Sequence, residues 1–436
     1  MVLISALVLI SCFSVVTPSA VAHQTTQSPP NADLQYAAQL LQAGQLDAAE
    51  SLLRRVLKST PDNADAHNLL GVVLDQTGRT QEAEREFRLA SRLSPKSVSP
   101  RANLGVLLAK TNRAELAIET FKSVLELAPN HLQTTINLGL LYVSTGEPQL
   151  AIPLLSKANE LQPNAFDITY NLGLSFFKLE RFAEAATHLQ RASVLKNEAA
   201  EPFYFLGLIA LKRGDESRAH DLLLKALERR EAYAEAHFMI GELLQKERNL
   251  VPAFQHYGRA LALDPSQAIY YIRLGGAHIL LGQFDRAFAV FQAGTVRFPE
   301  HADLHYFAAT AARGTGNYEF AQEHLKRTLS IQPNHADALA LLGSIFSDRG
   351  DSREAERLLR RAIQLDDKHF NAQQDLGRLL VRERRYDEAI PVLRRAAELN
   401  SSNADVHYQL YLVYSRLKRK AEADRELAIY NQLKSK

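Results

Sequence analysis

Residues 137–146 read NLGLLYVSTG, residues 171–180 read NLGLSFFKLE, and residues 103–112 read NLGVLLAKTN. The triplet Asn-Leu-Gly therefore recurs at 103, 137 and 171, a step of 34 residues. An alanine frame carries that step through the chain. From Ala49 through Ala83, Ala117 and onward to Ala389 and Ala423, every 34th residue is alanine, without insertion. Twelve residues before the alanine stands Gly71, Gly105, Gly139, Gly173, Gly207, Gly241, Gly275, Gly343 or Gly377, with Ala37, Ala309 and Tyr411 in the other three repeats. Twelve residues after it stands Pro61, Pro95, Pro129, Pro163, Pro265, Pro299 or Pro333, replaced elsewhere by Asn197, Glu231, Asp367 and Ser401.

Inside one period the apolar spacing is helical. Leu70, Val73 and Leu74 form a stripe at i, i+3 and i+4. After Gly78 a second stripe follows, Ala83, Phe87, Ala90 and Leu93, and Pro95 stops it. Each period thus reads as helix, turn, helix and a proline-marked turn. Glycine in a helix interior costs about 1 kcal/mol relative to alanine, so a glycine held at one phase needs a packing reason. The expected reason is that the two helices of a repeat meet backbone to backbone there, with the preceding leucines as filling. Gly44, Gly78, Gly146, Gly214, Gly282, Gly316 and Gly350 fall where the first helix should end, a place that asks for positive φ.

These residues carry a resemblance. A 34-residue unit with Leu-Gly early, Ala in the middle, an aromatic residue or Leu four later and Pro near the end resembles the tetratricopeptide repeat. The match spans residues 30–436 as twelve consecutive units. The early tryptophan of that pattern is missing, and His67, His237, His305 and His407 stand in its slot in four units. The resemblance implies an all-α, right-handed superhelical solenoid with first helices lining the concave side. It also implies a chain that binds protein. The end units should be atypical, because one face of each meets water. Unit one follows Pro29-Pro30 and lacks the glycine; unit twelve places Tyr411 and Tyr430 at two small positions.

Composition agrees with a folded chain whose net charge of +2 argues neither for nucleic acid nor for an anionic membrane surface. Cys12 is the only cysteine, so an intrachain disulfide and a cysteine zinc site are both excluded. The first 22 residues differ from the rest. Val2 to Val16 is an apolar run, and Ala20-Val21-Ala22 follows as a cleavage-like site. This reads as a secretory signal over 1–22, then a linker over 23–29, and places the chain in the periplasm or outside the cell. The run is short for a membrane span. No Lys or Arg precedes Arg54, where a signal would open with positive charge. Leu9-Ile10-Ser11-Cys12 also resembles a lipobox, which would make Cys12 a lipid anchor. A plain N-terminal anchor, or a cytoplasmic adaptor, are the other readings.

No catalytic constellation, phosphate loop or metalloprotease helix is present, so neither an enzyme nor a cofactor is expected. His301 and His305 are four apart, but a metal would need a further ligand that the sequence does not place. The basic runs RLLRR (357–361), RERR (382–385) and RLKRK (416–420) have acids beside them and read as solvated helix faces.

Candidate ligand contacts follow from the family, which uses the first helix. Three residues before the glycine stand Tyr170, Tyr204, Phe238 and Tyr306; two before it stand Asn103, Asn137 and Asn171. Leu-Gly is architecture, whereas Asn is a mediocre helix former whose amide could hold the backbone of an extended peptide. Tyr170, Phe177, Tyr204 and Phe238 would then anchor side chains. No lysine stands three before the glycine, which excludes the carboxylate clamp of chaperone-binding members. The reading is a non-catalytic scaffold for peptide segments in the concave groove. The alternative is a spacer in an envelope secretion or assembly complex, touching partners by its convex face or edges.

Overall fold

The structure is a computed structural model that describes residues 29–435; the expected signal over 1–22, Cys12 and the linker up to residue 28 lie outside the described residues. The described residues form helices joined by short turns, divided into a unit ending at Glu231 and a unit starting at Ala232.

In the first unit the repeats are α1 (Pro29–Gln42) with α2 (Leu46–Ser59), α3 (Ala64–Gln76) with α4 (Thr80–Leu93), and α5 (Val98–Lys110) with α6 (Ala114–Leu127). They continue as α7 (Leu132–Thr145) with α8 (Pro148–Leu161), α9 (Phe166–Lys178) with α10 (Phe182–Leu195), and α11 (Glu201–Lys212) with α12 (Glu216–Arg229). The second unit holds α13 (Ala234–Lys246) with α14 (Leu250–Leu263), α15 (Ala268–Leu280) with α16 (Phe284–Arg297), and α17 (Ala302–Gly314) with α18 (Tyr318–Ile331). It ends with α19 (Ala336–Arg349) and α20 (Ser352–Leu365), α21 (Phe370–Arg382) and α22 (Tyr386–Leu399), and α23 (Ala404–Arg416) and α24 (Lys420–Lys434). Both units are thus stacks of helical hairpins, the all-α solenoid that the 34-residue period predicts. Successive first helices pack on one another, as in α5–α7–α9–α11 and α19–α21–α23, so they line one face of each unit.

The glycine phase owes more to side chains than to the expected meeting of backbones. A Cβ on Gly71, Gly105, Gly241 or Gly275 would sit 2.4–2.6 Å from the ring of Phe87, Phe121, Tyr257 or Phe291. On Gly139, Gly173, Gly343 and Gly377 it would meet Leu155, Leu189, Leu359 and Leu393. In every case the intruder is the residue sixteen later, on the second helix of the same repeat. A large side chain lies across the glycine, and at Gly207 and Gly343 the carbonyl of Ala219 or Ala355 on the second helix also comes within 3.3–3.4 Å of the Cβ position. The alanine frame supplies the rest of the fit, for example Ala83, Ala117 and Ala287, all fully buried.

The turns after the first helices behave as expected where glycine is present and also where it is absent. Gly44, Gly78, Gly146, Gly214, Gly282, Gly316 and Gly350 all have positive φ, and so do Asn112, Glu180, Arg248, Arg384 and Lys418 at the same phase. Arg248, at φ 62°, carries a Cβ where the left-handed region penalises one. Arg248→Gly is therefore expected to stabilise the second unit by roughly 0.5–1 kcal/mol, with Gly316→Ala moving it the other way by a similar amount. Paired urea melts of the two variants check this, and a destabilised Arg248→Gly would contradict it.

The histidines at the tryptophan slot have a consistent partner nineteen residues on. His67 Nδ1 lies 2.5 Å from Glu86 and His407 Nδ1 lies 2.6 Å from Glu426. For His237 and His305 the partner is another histidine, His256 at 3.0 Å and His324 at 2.9 Å. Histidines on the turns between repeats cap helices: Nδ1 of His131, His335 and His369 accepts from the backbone N–H of Thr134, Ala338 and Ala372.

Repeats are also tied by polar links that the 34-residue step generates. Arg79 reaches back to Glu50 at 2.9 Å, Arg113 to Glu84 at 2.8 Å and Arg385 to Glu356 at 2.6 Å. Lys157, Arg191 and Arg361 donate to the carbonyls of Pro129, Pro163 and Pro333, at 3.1, 3.0 and 2.9 Å, closing the proline turn between repeats. Part of each basic run is absorbed this way. Arg357 pairs with Glu354, Arg360 with Glu356, and Arg419 with Glu422.

Candidate functional site

The first-helix face carries the residues singled out from the sequence, and the structure treats its amides and its aromatic rings differently. Asn137 is fully buried on α7, a helix enclosed from Thr134 to Val143, and its Oδ1 accepts from Gln133 at 3.4 Å. It has no surface to offer a peptide, which corrects the expectation placed on it. Asn103, half-buried on α5, donates Nδ2 to Asn68 of the preceding repeat at 3.0 Å. Asn171, half-buried on α9, donates to the carbonyl of Asp167 in its own helix at 2.8 Å. Asn137 is thus enclosed, whereas Asn103 and Asn171 each engage one amide N–H within the chain.

Several of the aromatic residues keep accessible edges. On α9, Tyr170 stacks on Phe166 with ring centroids 5.6 Å apart and leans on Phe205 of α11 at 6.3 Å. Phe177 meets Phe182 at 5.8 Å and Phe205 at 5.2 Å, both edge to face. Tyr170, Phe177, Phe166 and Phe182 are each half-buried, so the cluster is fixed from below and open above. Burial pushes the Tyr170 phenol upward, with the nearby Glu201 carboxylate adding to it. Tyr204 is only 5% exposed and serves as packing against Phe205. Phe205 was not singled out from the sequence. It occupies the asparagine phase, two before Gly207, and reading that phase as a column would have found it.

In the second unit, Phe238 on α13 is half-buried against Tyr257 at 5.9 Å and Tyr270 at 4.9 Å. Tyr306 on α17 is half-buried, 5.3 Å from Phe307 and 5.0 Å from His335. Burial first, and then the Asp337 carboxylate, raise the Tyr306 phenol. Neither belongs to a cluster as large as that on α9–α11.

Both ring nitrogens of His305 are engaged, with His324 and with the Pro299 carbonyl, so it does not face His301 as a second ligand. Among the described residues no group of three or more His, Cys, Asp or Glu is arranged to hold a metal ion, and no helix is long and apolar enough to cross a membrane.

Comparison with known proteins identifies the class. Tetratricopeptide repeat family models match residues 38–98, 136–200, 204–268, 253–302, 341–404 and 375–427, and others of the same description match 99–131 and 300–368. The chain belongs to the tetratricopeptide repeat family. Repeats of this family support protein–protein interaction, and the fold is typical of non-catalytic scaffolds. Superkiller protein 3 of Schizosaccharomyces pombe is 26% identical over 106 residues, which is 24% of this chain and 8% of that protein. The chain thus spans a small fraction of the length of this curated relative. Among solved structures, a chain of the APC/C hetero-tetramer Cut9-Hcn1 aligns with TM-score 0.49 and 15% identity over 93% of this chain and 94% of that one. Yeast Tom70 aligns with TM-score 0.39 and 15% identity over 92% and 99%.

Proposed function

We propose that this chain is an exported, non-catalytic scaffold that binds an extended segment of a partner protein along its first-helix face. The observation that carries the reading is the aromatic cluster of Phe166, Tyr170, Phe177, Phe182 and Phe205. Five aromatic rings on three consecutive helices, four of them half-buried, exceed what packing α9 against α11 needs. Rigid rings with open faces anchor partner side chains at low entropic cost. The test is cross-linked partner capture from the native cell envelope with the parent and with Tyr170→Ala/Phe177→Ala, after circular dichroism shows equal helicity. Partners held by the parent should be lost by the variant. A partner kept by both variants would sink the first-helix reading.

The second reading, a spacer in an envelope secretion or assembly complex, draws on the opposite face. Val194 on α10 is 80% exposed and Leu161 on α8 is 61% exposed, with Leu127 on α6 and Leu150 on α8 also outward. Val194→Glu/Leu161→Glu would separate the two, since it should abolish capture only if second helices make the contact. Export itself is checked by the mature N-terminus, expected at His23; a retained Met1 would point to a cytoplasmic adaptor.

A further inference from the structure

Arginines in the second unit differ in how they are held. Several on the second helices and the turns are paired with carboxylates. Arg357 and Arg360 meet Glu354 and Glu356, Arg385 meets Glu356 and Glu388, and Arg395 meets Glu398 and Asp367. On the first helices Arg273 is paired with Glu242 at 2.7 Å, whereas two arginines nearer the end of the unit are held by hydroxyls. Arg313 on α17 donates to Ser344 Oγ on α19 at 3.2 Å, and Arg382 on α21 donates to Ser347 Oγ at 3.0 Å. A neutral hydroxyl fixes the direction of a guanidinium and leaves its charge uncancelled.

Two more cations share this face. Arg378 on α21 is 53% exposed and only loosely opposed by Asp375 at 3.7 Å. Arg416 on α23 is exposed and has no carboxylate partner among the described residues. Asp375 stands at the asparagine phase, two before Gly377, and is joined to Arg313 through the Ser344 hydroxyl, which accepts from the arginine and donates to the carboxylate. Burial pushes the Asp375 carboxyl up, while Arg378, the Ser344 hydroxyl and Arg313 act on it in the opposite direction. Asp348 is a further carboxylate, close enough to Asp375 to act on it. Arg313, Arg378, Arg382 and Arg416 thus lie on α17, α21 and α23, with Asp375 and Asp348 among the carboxylates near them.

We infer that the first-helix face of the last four repeats, through Arg313, Arg378, Arg382 and Arg416, docks an acidic segment of a partner protein. The inference rests on the proposed use of the first-helix face and adds the charge of what lies there. A polypeptide suits the site because its carboxylates can meet guanidinia two-pronged, and because Tyr306 and Val381 on the same helices give apolar contacts between the charges.

The test uses the whole chain and a fluorescent peptide of about twelve residues alternating Glu and Leu, read by anisotropy. Its Lys-for-Glu counterpart and an oligothymidylate are run beside it. The Glu peptide should bind, and should weaken at least ~10-fold between about 0.05 M and about 0.5 M salt. Arg378→Gln/Arg416→Gln, both exposed and harmless to the core, should weaken it by at least ~10-fold. Arg357→Gln/Arg395→Gln on the second helices should leave it unchanged. Absence of Glu-peptide binding, equal binding of the Lys peptide, or equal loss in the second-helix variant would overturn the inference. An oligothymidylate bound as tightly would overturn the choice of a protein segment. If capture by the Tyr170→Ala/Phe177→Ala variant is unimpaired, the first-helix reading itself fails. If that capture is lost while the Glu peptide does not bind, only the acidic assignment fails.

Discussion

Gly105→Leu should destabilise the third repeat by about 3 kcal/mol, and Phe121→Ala should cost about 3–5 kcal/mol, yet the two together should cost less than their sum. The ring of Phe121 is fully buried, and its nearest edge would lie 2.5 Å from a Cβ on Gly105. A leucine at 105 must expel the ring, and α6 carries Ala117 and Val124, both fully buried, on either side of it. Nothing soft is available to yield. Removing the ring first opens the room that the leucine fills, so the pair should couple favourably by roughly 1–3 kcal/mol. Urea melts followed by circular dichroism give the cycle. Hydrogen exchange of α5 and α6 amides localises it, because a repeat array opens in pieces. Simple additivity would mean that the ring does not occupy the glycine's space.

Acid should weaken the second unit well before its carboxylates titrate. His305 Nε2–H donates to the Pro299 carbonyl, which leaves His305 Nδ1 as acceptor for His324 Nδ1–H at 2.9 Å. Phe320 stacks on His324 with centroids 4.4 Å apart. Burial, and then the neighbouring His305, hold His324 down to about 4. An unfolded chain takes up that proton near pH 6.5, whereas the folded one waits until about 4. The unfolded state therefore binds more protons between those values, and stability must fall as pH falls across that window. The loss is about 3 kcal/mol from this one residue and levels off below pH 4. Burial also lowers His305, which adds to the loss with the same sign. Urea midpoints between pH 7 and 4 should drop in the parent and drop much less in His324→Leu. Equal slopes for the two would show that the pair is not held neutral.

The fold was readable in advance because a 34-residue step with three small or ring residues at fixed phases admits one solution, a stack of helical hairpins. The period dictated where every first helix ends, even at Glu180, Arg248, Arg384 and Lys418, where glycine is missing and positive φ persists. The turn is imposed by the stack, and the local residue accommodates it. Candidate sites were less legible. A first-helix phase names a column of residues but not their depth, so Asn137 and Tyr204 looked equivalent to Asn103 and Tyr170 until packing enclosed them. Depth depends on what the neighbouring repeats place beside each position.

What the sequence by itself determined is therefore the repeat, its hairpins, its turns and its family, all of which follow from local periodicity. Only the tertiary structure decided which side chain covers each glycine, which amides are spent inside, which histidines face one another nineteen residues apart, and which arginines keep their charge. Those depend on contacts between helices, where a partner sixteen, nineteen or thirty-one residues away cancels or spares a group that looks the same in the sequence.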